Sequence, residues 1–167
     1  LGRHIDFTSG SRSVTVWPPK SRQTIHRHSA FEQTFHMKVE PSPSVVNQLV
    51  REARRNGKSV GVVPTMGALH AGHVSLMDRA VRECDFVIAT IFVNPTQFGP
   101  NEDFDKYPRT LDEDLRMCRD AGVHAVFTPE TTAMYGPNAQ TSVSVSQISR
   151  VLEGAHRPGH FDGVTTI

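Results

Sequence analysis

Two short apolar runs decide what this chain can become. Ser59–Val63 and Asp85–Val93 are nearly continuous and rich in β-branched residues, the pattern of strands buried on both faces. Between them, from about Gly72 to Cys84, lies a helical stripe of Val74, Met77, Ala80, Val81 and Cys84. A strand, a helix and a strand at this spacing call for parallel pairing through a crossover. The alternation continues on both sides. Ser44 is placed to cap a helix through Asn56, with Val45, Val46, Leu49, Val50 and Ala53 as its apolar stripe and Gly57 as its stop. Thr110 is placed to cap Leu111–Ala121, Gly122 to end it, and His124–Thr128 reads as a third strand. Thr141–Ile148 alternates Val with Ser or Thr and predicts a half-exposed strand. Asp162 is positioned to cap a last helix reaching Ile167. The expected fold class is α/β, a Rossmann-like parallel sheet with flanking helices.

A chain of 167 residues is long enough for one such domain. Its formal charge of +1 gives no strong pull toward nucleic acid or anionic lipid. The longest apolar run, Phe86–Val93, falls far short of the roughly 20 residues a membrane-spanning helix needs. Cys84 and Cys118 both sit in helical patterns, so a disulfide framework is excluded and a reducing, cytoplasmic setting fits.

The first 36 residues read differently. They carry Arg3, Arg12, Lys20, Arg22 and Arg27 against only Asp6 and Glu32, with many hydroxyl residues and no lasting periodicity. The first methionine, Met37, stands where globular patterning begins. Residues 1–36 are therefore expected to be a disordered or upstream extension, and 37–167 the domain. Basic, acid-poor composition also matches organelle transit peptides, which leaves import of a longer form as the alternative. Irregular spacing argues against a metal site on His4, His26, His28 and His36.

Chemistry concentrates where the first apolar run ends, in Val63-Pro64-Thr65-Met66-Gly67-Ala68-Leu69-His70-Ala71-Gly72-His73. Ligands of open α/β sheets bind beyond the carboxyl ends of strands, and here that end feeds a helix N-terminus, where free amides and the macrodipole attract anions. His70 and His73 are three apart, so both can face one spot on the first turn. Gly72 would let a ligand approach the backbone. Two imidazoles at a helix start suit a triphosphate. Alone, the pair could equally be surface histidines in a turn; a structural zinc is disfavoured because no third ligand lies nearby.

Pro64-Thr65-Met66-Gly67-Ala68-Leu69-His70-x-Gly72-His73 resembles the signature of the pantoate–β-alanine ligase (pantothenate synthetase) family, nucleotidyltransferases marked by His-x-Gly-His. The similarity continues in Ile91-Phe92-Val93-Asn94-Pro95-x-Gln97-Phe98-Gly99-Pro100-Asn101-Glu102-Asp103, in Tyr107-Pro108-Arg109-Thr110, and in Leu152-Glu153-Gly154-x-x-Arg157-Pro158-Gly159-His160-Phe161-Asp162-Gly163-Val164. It implies an amide-forming ligase of vitamin B5 synthesis. Pantoate's carboxylate attacks the α-phosphate of ATP to give pantoyl adenylate and pyrophosphate, and the amine of β-alanine then displaces AMP. By similarity, Met66, Gly67, Ala68, Leu69, His70, Ala71, Gly72 and His73 cradle ATP, with His73 as proton donor. The chemistry of imidazole favours reading both His70 and His73 as phosphate hydrogen-bond donors. Gln97 is implied to contact pantoate and β-alanine, with Asn94 helping; without the resemblance both would be turn residues around Pro95. Phe92 reads as pocket wall or core. Arg157 and His160 are expected to reach the phosphates, and Arg109 to pin the long loop. Mg2+ is expected with ATP, with Asp114 as its candidate ligand; the acidic run Asp112, Glu113 and Asp114 otherwise simply complements the helix dipole. The resemblance also implies a homodimer.

Two departures bear on activity. Ala71 stands where the family usually has an acidic residue, in a position expected to point away from the ligand. The family continues with a Gly-x-Lys-Asp-type segment, a Ser-Ser-Arg loop and a small C-terminal domain, so these residues are expected to be a fragment that binds ATP weakly and turns over poorly. Two rivals remain: a nucleotidyltransferase acting on a phosphate ester, which would not need Asn94 and Gln97, and a non-catalytic module whose basic tail does the work.

Overall fold

The computed structural model describes residues 36–100, 102 and 104–167. The expected N-terminal extension, residues 1–35, lies outside the described residues. Four parallel strands form one sheet: β1 (Lys38–Glu40), β2 (Val60–Val63), β3 (Phe86–Thr90) and β4 (Ala125–Phe127), in the order β1-β4-β3-β2. The helices α1 (Pro43–Arg55), α2 (Ala71–Glu83), α3 (Leu111–Asp120), α4 (Thr131–Met134), α5 (Glu153–His156) and α6 (His160–Thr166) connect and follow them. Short 3-10 turns occupy Pro95–Gln97, Phe104–Lys106 and Ile148–Arg150.

The parallel α/β reading holds, and the strands are short because their flanks turn early. No sequence pattern marks β1. It pairs with β4 at the sheet edge, and its residues are too exposed to give an apolar run. At the other edge β2 pairs with β3, and Val62 is 55% exposed there. One face of the sheet carries the main core: Val63, Val87, Ala89 and Val126 pack with Met77 of α2, Cys118 of α3, Leu69 and Val123. By strand alternation the equally buried Ile88 faces the opposite side. Gly61 gives α2 close approach, since a Cβ there would lie 2.9 Å from Cys84 Sγ. Cys84 and Cys118 are both free thiols.

Three sequence expectations need correction. α1 begins at Pro43 with Ser42 at its cap position, ahead of the expected Ser44 cap, because proline at the first helical residue has its φ already set. α6 begins at His160 behind a left-handed Gly159, so Asp162 lies inside its first turn, where its charge faces the dipole. Thr141–Ile148 forms no strand. Its Val143 instead accepts the Thr165 hydroxyl at its carbonyl and donates its N–H to Thr166 Oγ1, while Ser144 bonds Asp162. With α6 supplying these partners, the alternating pattern finds no strand edge to join.

Candidate active site

The site lies at the carboxyl ends of β2 and β3, as the topology requires. β2 runs into Pro64 and Thr65, and Thr65 is bound across to β3: its N–H donates to Thr90 Oγ1 (3.1 Å), its hydroxyl to Thr90 O (2.5 Å). Two left-handed residues follow, Gly67 (φ 81°) and Ala68 (φ 50°). A non-glycine residue there is strained. Asp114 compensates. Its carboxylate, 1% exposed, accepts the N–H groups of Ala68 (3.0 Å) and Leu69 (2.8 Å) and the Thr110 hydroxyl (3.3 Å).

This corrects the magnesium assignment. Both oxygens of the buried Asp114 carboxylate already accept protein donors, so Asp114 anchors the turn and fits a cation-binding role poorly. Among the described residues no three His, Cys, Asp or Glu side chains cluster as a metal site would need. The sequence carried a signal for the anchor: Asp114 lies one turn before Cys118 on the buried face of α3, where a carboxylate needs a partner.

The two histidines meet as the spacing required. His70 caps α2, its Nδ1 accepting the Gly72 N–H (3.1 Å), and His73 Nδ1 accepts the His70 N–H (3.3 Å). Their ring centroids are 4.1 Å apart. An Nδ1 that accepts from an amide carries no proton, so each neutral ring holds its hydrogen at Nε2. Burial, then the neighbouring His70, pushes His73 below the ordinary histidine range, with Asp114 pulling the other way. With each Nδ1 engaged as an acceptor, Nε2 is the donor position of both rings.

The amides are less available than the sequence suggested. Those of Thr65, Gly67, Ala68, Leu69, His70 and Gly72 all donate within the protein. Leu69 is part of the core rather than of a ligand surface. Of the stretch Met66–His73, Met66 and His73 line a pocket of about 490 Å3, together with Pro64, Phe92, Asn94 and Gln97. Gly67 lines an adjacent cleft instead, whereas His70, Ala71 and Gly72 are exposed beside His73. Phe92 serves both expected roles, 7% exposed and on the pocket wall.

Asn94 and Gln97 are both buried. Asn94 is saturated: its amide donates to Gln97 Oε1 (3.1 Å) and Gly163 O (3.1 Å), and its oxygen accepts from Thr96 and from the Tyr135 hydroxyl (2.9 Å). It is turn chemistry after all, and it fixes which end of the Gln97 amide is free. With Oε1 already engaged by Asn94 through one of its two lone pairs, Nε2 is the end of the Gln97 amide left to donate to a ligand. Tyr135, Glu102 and Gly163 belong to this arrangement; Glu102 and Gly163 stand in the family motifs with no role assigned to them, and nothing in the sequence marks Tyr135.

Arg157 and His160 sit on the far side of the Gln97 turn. Arg157 pairs bidentately with Glu102 (Nε–Oε1 2.7 Å, Nη2–Oε2 2.5 Å) and donates to Gln97 O (3.2 Å). His160 Nδ1 donates to the same carbonyl (2.8 Å). The Arg157 hydrogen bond holds Glu102 at about 2, far below the usual carboxylate range. Arg109 pins the long loop as expected, donating to Asp105 O (3.2 Å) with its guanidinium 5.2 Å from the Phe104 ring.

The family model described as pantoate-beta-alanine ligase matches residues 38–167. The pantothenate synthetase of Clostridium novyi (strain NT) is 54% identical over 122 residues, which is 73% of this chain and 43% of that protein. Among solved structures, the pantothenate synthetase of Thermus thermophilus matches with a TM-score of 0.66 at 44% identity, covering 78% of this chain and 46% of its own. The Francisella tularensis pantoate-beta-alanine ligase, complexed with "Beta-gamma ATP" and β-alanine, matches with a TM-score of 0.69 at 38% identity, covering 77% and 49%. The chain thus spans about half the length of the relatives it matches.

Proposed function

The chain belongs to the pantoate-beta-alanine ligase family, and on that premise we propose that residues 37–167 form the nucleotide- and pantoate-binding part of an ATP-dependent ligase that makes pantothenate. A carboxylate is a poor acyl electrophile because oxide is a poor leaving group. The first step therefore forms a bond from a pantoate carboxylate oxygen to the α-phosphorus and breaks the bond to pyrophosphate. In the second, the β-alanine nitrogen bonds to the acyl carbon, AMP leaves with the acyl oxygen, and the amine loses its proton.

The observation that carries this reading is that His73 and Gln97 line one pocket at the ends of two parallel strands. In it His73, with His70 exposed beside it, donates from Nε2 to phosphate oxygens, stabilising charge that builds during attack. Neutral rings suit hydrogen-bond donation better than proton transfer to the leaving group. Gln97 Nε2 holds a pantoate oxygen, and Pro64, Met66 and Phe92 cover its branched apolar carbons. Magnesium enters as the counter-ion of the ATP phosphates, without Asp114. The cytoplasm, read from the helical setting of the two cysteines, and a homodimer, implied by the resemblance, complete the reading; among the described residues no helix is long and apolar enough to cross a membrane.

Calorimetric titration tests it. ATP and pantoate are expected to bind this chain, weakly, with His73→Ala reducing ATP binding and Gln97→Ala reducing pantoate binding. A Gln97→Ala variant that binds pantoate as well as its parent would favour a nucleotidyltransferase acting on another substrate. A folded parent that responds to neither ligand would favour a non-catalytic module.

A further inference from the structure

The Gln97 turn is held by residues far along the chain. α6 lies against Pro95–Gln97 with backbone touching backbone: a Cβ on Gly163 would come 2.4 Å from Thr96 O and 2.8 Å from Gln97 N. Asn94 donates to the Gly163 carbonyl, and the Gln97 carbonyl receives both Arg157 and His160. Arg157 is in turn gripped through two of its nitrogens by Glu102, and its third reaches Glu153 (3.4 Å). A guanidinium so paired has its planar fork matched to a carboxylate already. Its charge is neutralised before any phosphate arrives.

We propose that Arg157, locked by Glu102, and His160 are positioning residues: they fix the Gln97 carbonyl and thereby the Nε2 edge that Gln97 presents to the pocket, and they do not bind phosphate. Both act through the backbone of the turn. α6 also supplies Val164 to the pocket wall, so docking of this helix closes the pocket and aims Gln97 in one movement. This replaces the phosphate contact expected from the sequence, and it rests on the reading of Gln97 as a pantoate ligand.

The two roles make opposite demands on Glu102. If Arg157 positions, Glu102→Gln loosens it and weakens pantoate binding, as Arg157→Gln does. If Arg157 binds phosphate, Glu102→Gln releases its charge and tightens ATP binding. Titration of this chain with ATP and with pantoate separates them. We expect each single substitution to weaken pantoate about tenfold, to leave ATP within about twofold, and the Arg157→Glu/Glu102→Arg swap to recover most of the loss. Tighter ATP with Glu102→Gln, looser ATP with Arg157→Gln, or no change with either would overturn the proposal. Should Arg157→Gln fail to fold, Arg157→Lys keeps the charge and removes the bidentate grip, and the same losses are expected of it. A parent chain that binds neither ligand sinks the function while leaving the positioning claim open to NMR: the Gln97 side-chain amide resonances must move in Arg157→Gln and Glu102→Gln, and resonances that stay put contradict it.

Discussion

The two walls of the pocket are held in different ways. The histidine wall is local: His70 and His73 are oriented by amides two and three residues away, and one distant carboxylate steadies the turn before them. The Gln97 wall is assembled from afar. Its partners Glu102–Arg157, Arg157–Gln97, His160–Gln97 and Asn94–Gly163 span 55 to 69 residues of sequence. A local wall forms whenever its helix forms. A long-range wall exists only when loop and helix are docked, so ligand binding and docking of α6 are one equilibrium. Nucleotide recognition should thus tolerate changes that abolish recognition of the small acid.

The largest effect is expected at the one long-range prop of the local wall. Asp114→Ala leaves the buried Leu69 N–H and the half-buried Ala68 N–H without acceptors and releases Ala68 from support in its left-handed conformation. A loss of about 3 kcal/mol is expected in urea unfolding, at 1–3 kcal/mol per orphaned group. A loss under about 1 kcal/mol would mean that the turn stands without it. Next comes Gly163→Ala, which drives a methyl group into the Thr96 carbonyl. About 2 kcal/mol is expected, in the range of overpacking, with pantoate binding lost and ATP binding kept. Equal loss of both ligands would erase the distinction between the walls. His70→Ala removes a helix cap, costing about 1 kcal/mol by thermal unfolding, and should leave pantoate binding intact.

The smallest effect is a difference in pH window. His73 is pushed below its ordinary value, so as pH falls below about 6.5 the unfolded chain takes up that proton first. Its contribution is present above that pH and fades as pH drops through the folded value. Glu102, held at about 2 against an ordinary 4.5, contributes in full above that ordinary value and loses its contribution progressively as pH falls from there to about 2. Near pH 5 the histidine turn should therefore have weakened while the Arg157–Glu102 pair persists, a contrast that NMR shifts of His73 and Arg157 can follow. Simultaneous loss of both would contradict it.

The same contrast explains what was legible in the sequence. Parallel strands, α2 with its two histidines on one turn, and the boundaries of α3 follow from periodicity and caps, which act over a few residues. Asp114 is visible as a helix-start acid, but its partners Ala68 and Leu69 lie far upstream, so a metal role stays open until the fold closes around it. Arg157 reads as a free cation for the same reason: nothing near it in sequence announces Glu102 or the Gln97 carbonyl. Thr141–Ile148 has the alternation of a strand and lacks only a neighbour, which is a property of the fold. Of the bare amides inferred around the α2 start, those of Ala68, Leu69, His70 and Gly72 are spoken for by Asp114 and by the histidines themselves.

The central claim is that His70 and His73 offer Nε2–H to a nucleotide while Gln97 Nε2 awaits the acid beside them. Nitrogen-15 NMR of the two rings and of the Gln97 amide, with ATP and then pantoate added, tests it most directly. ATP is expected to shift both Nε2 resonances while leaving each Nδ1 unprotonated, and pantoate to shift the Gln97 side-chain amide. ATP binding that moves neither ring, or a proton found at His73 Nδ1 in the bound state, would contradict it.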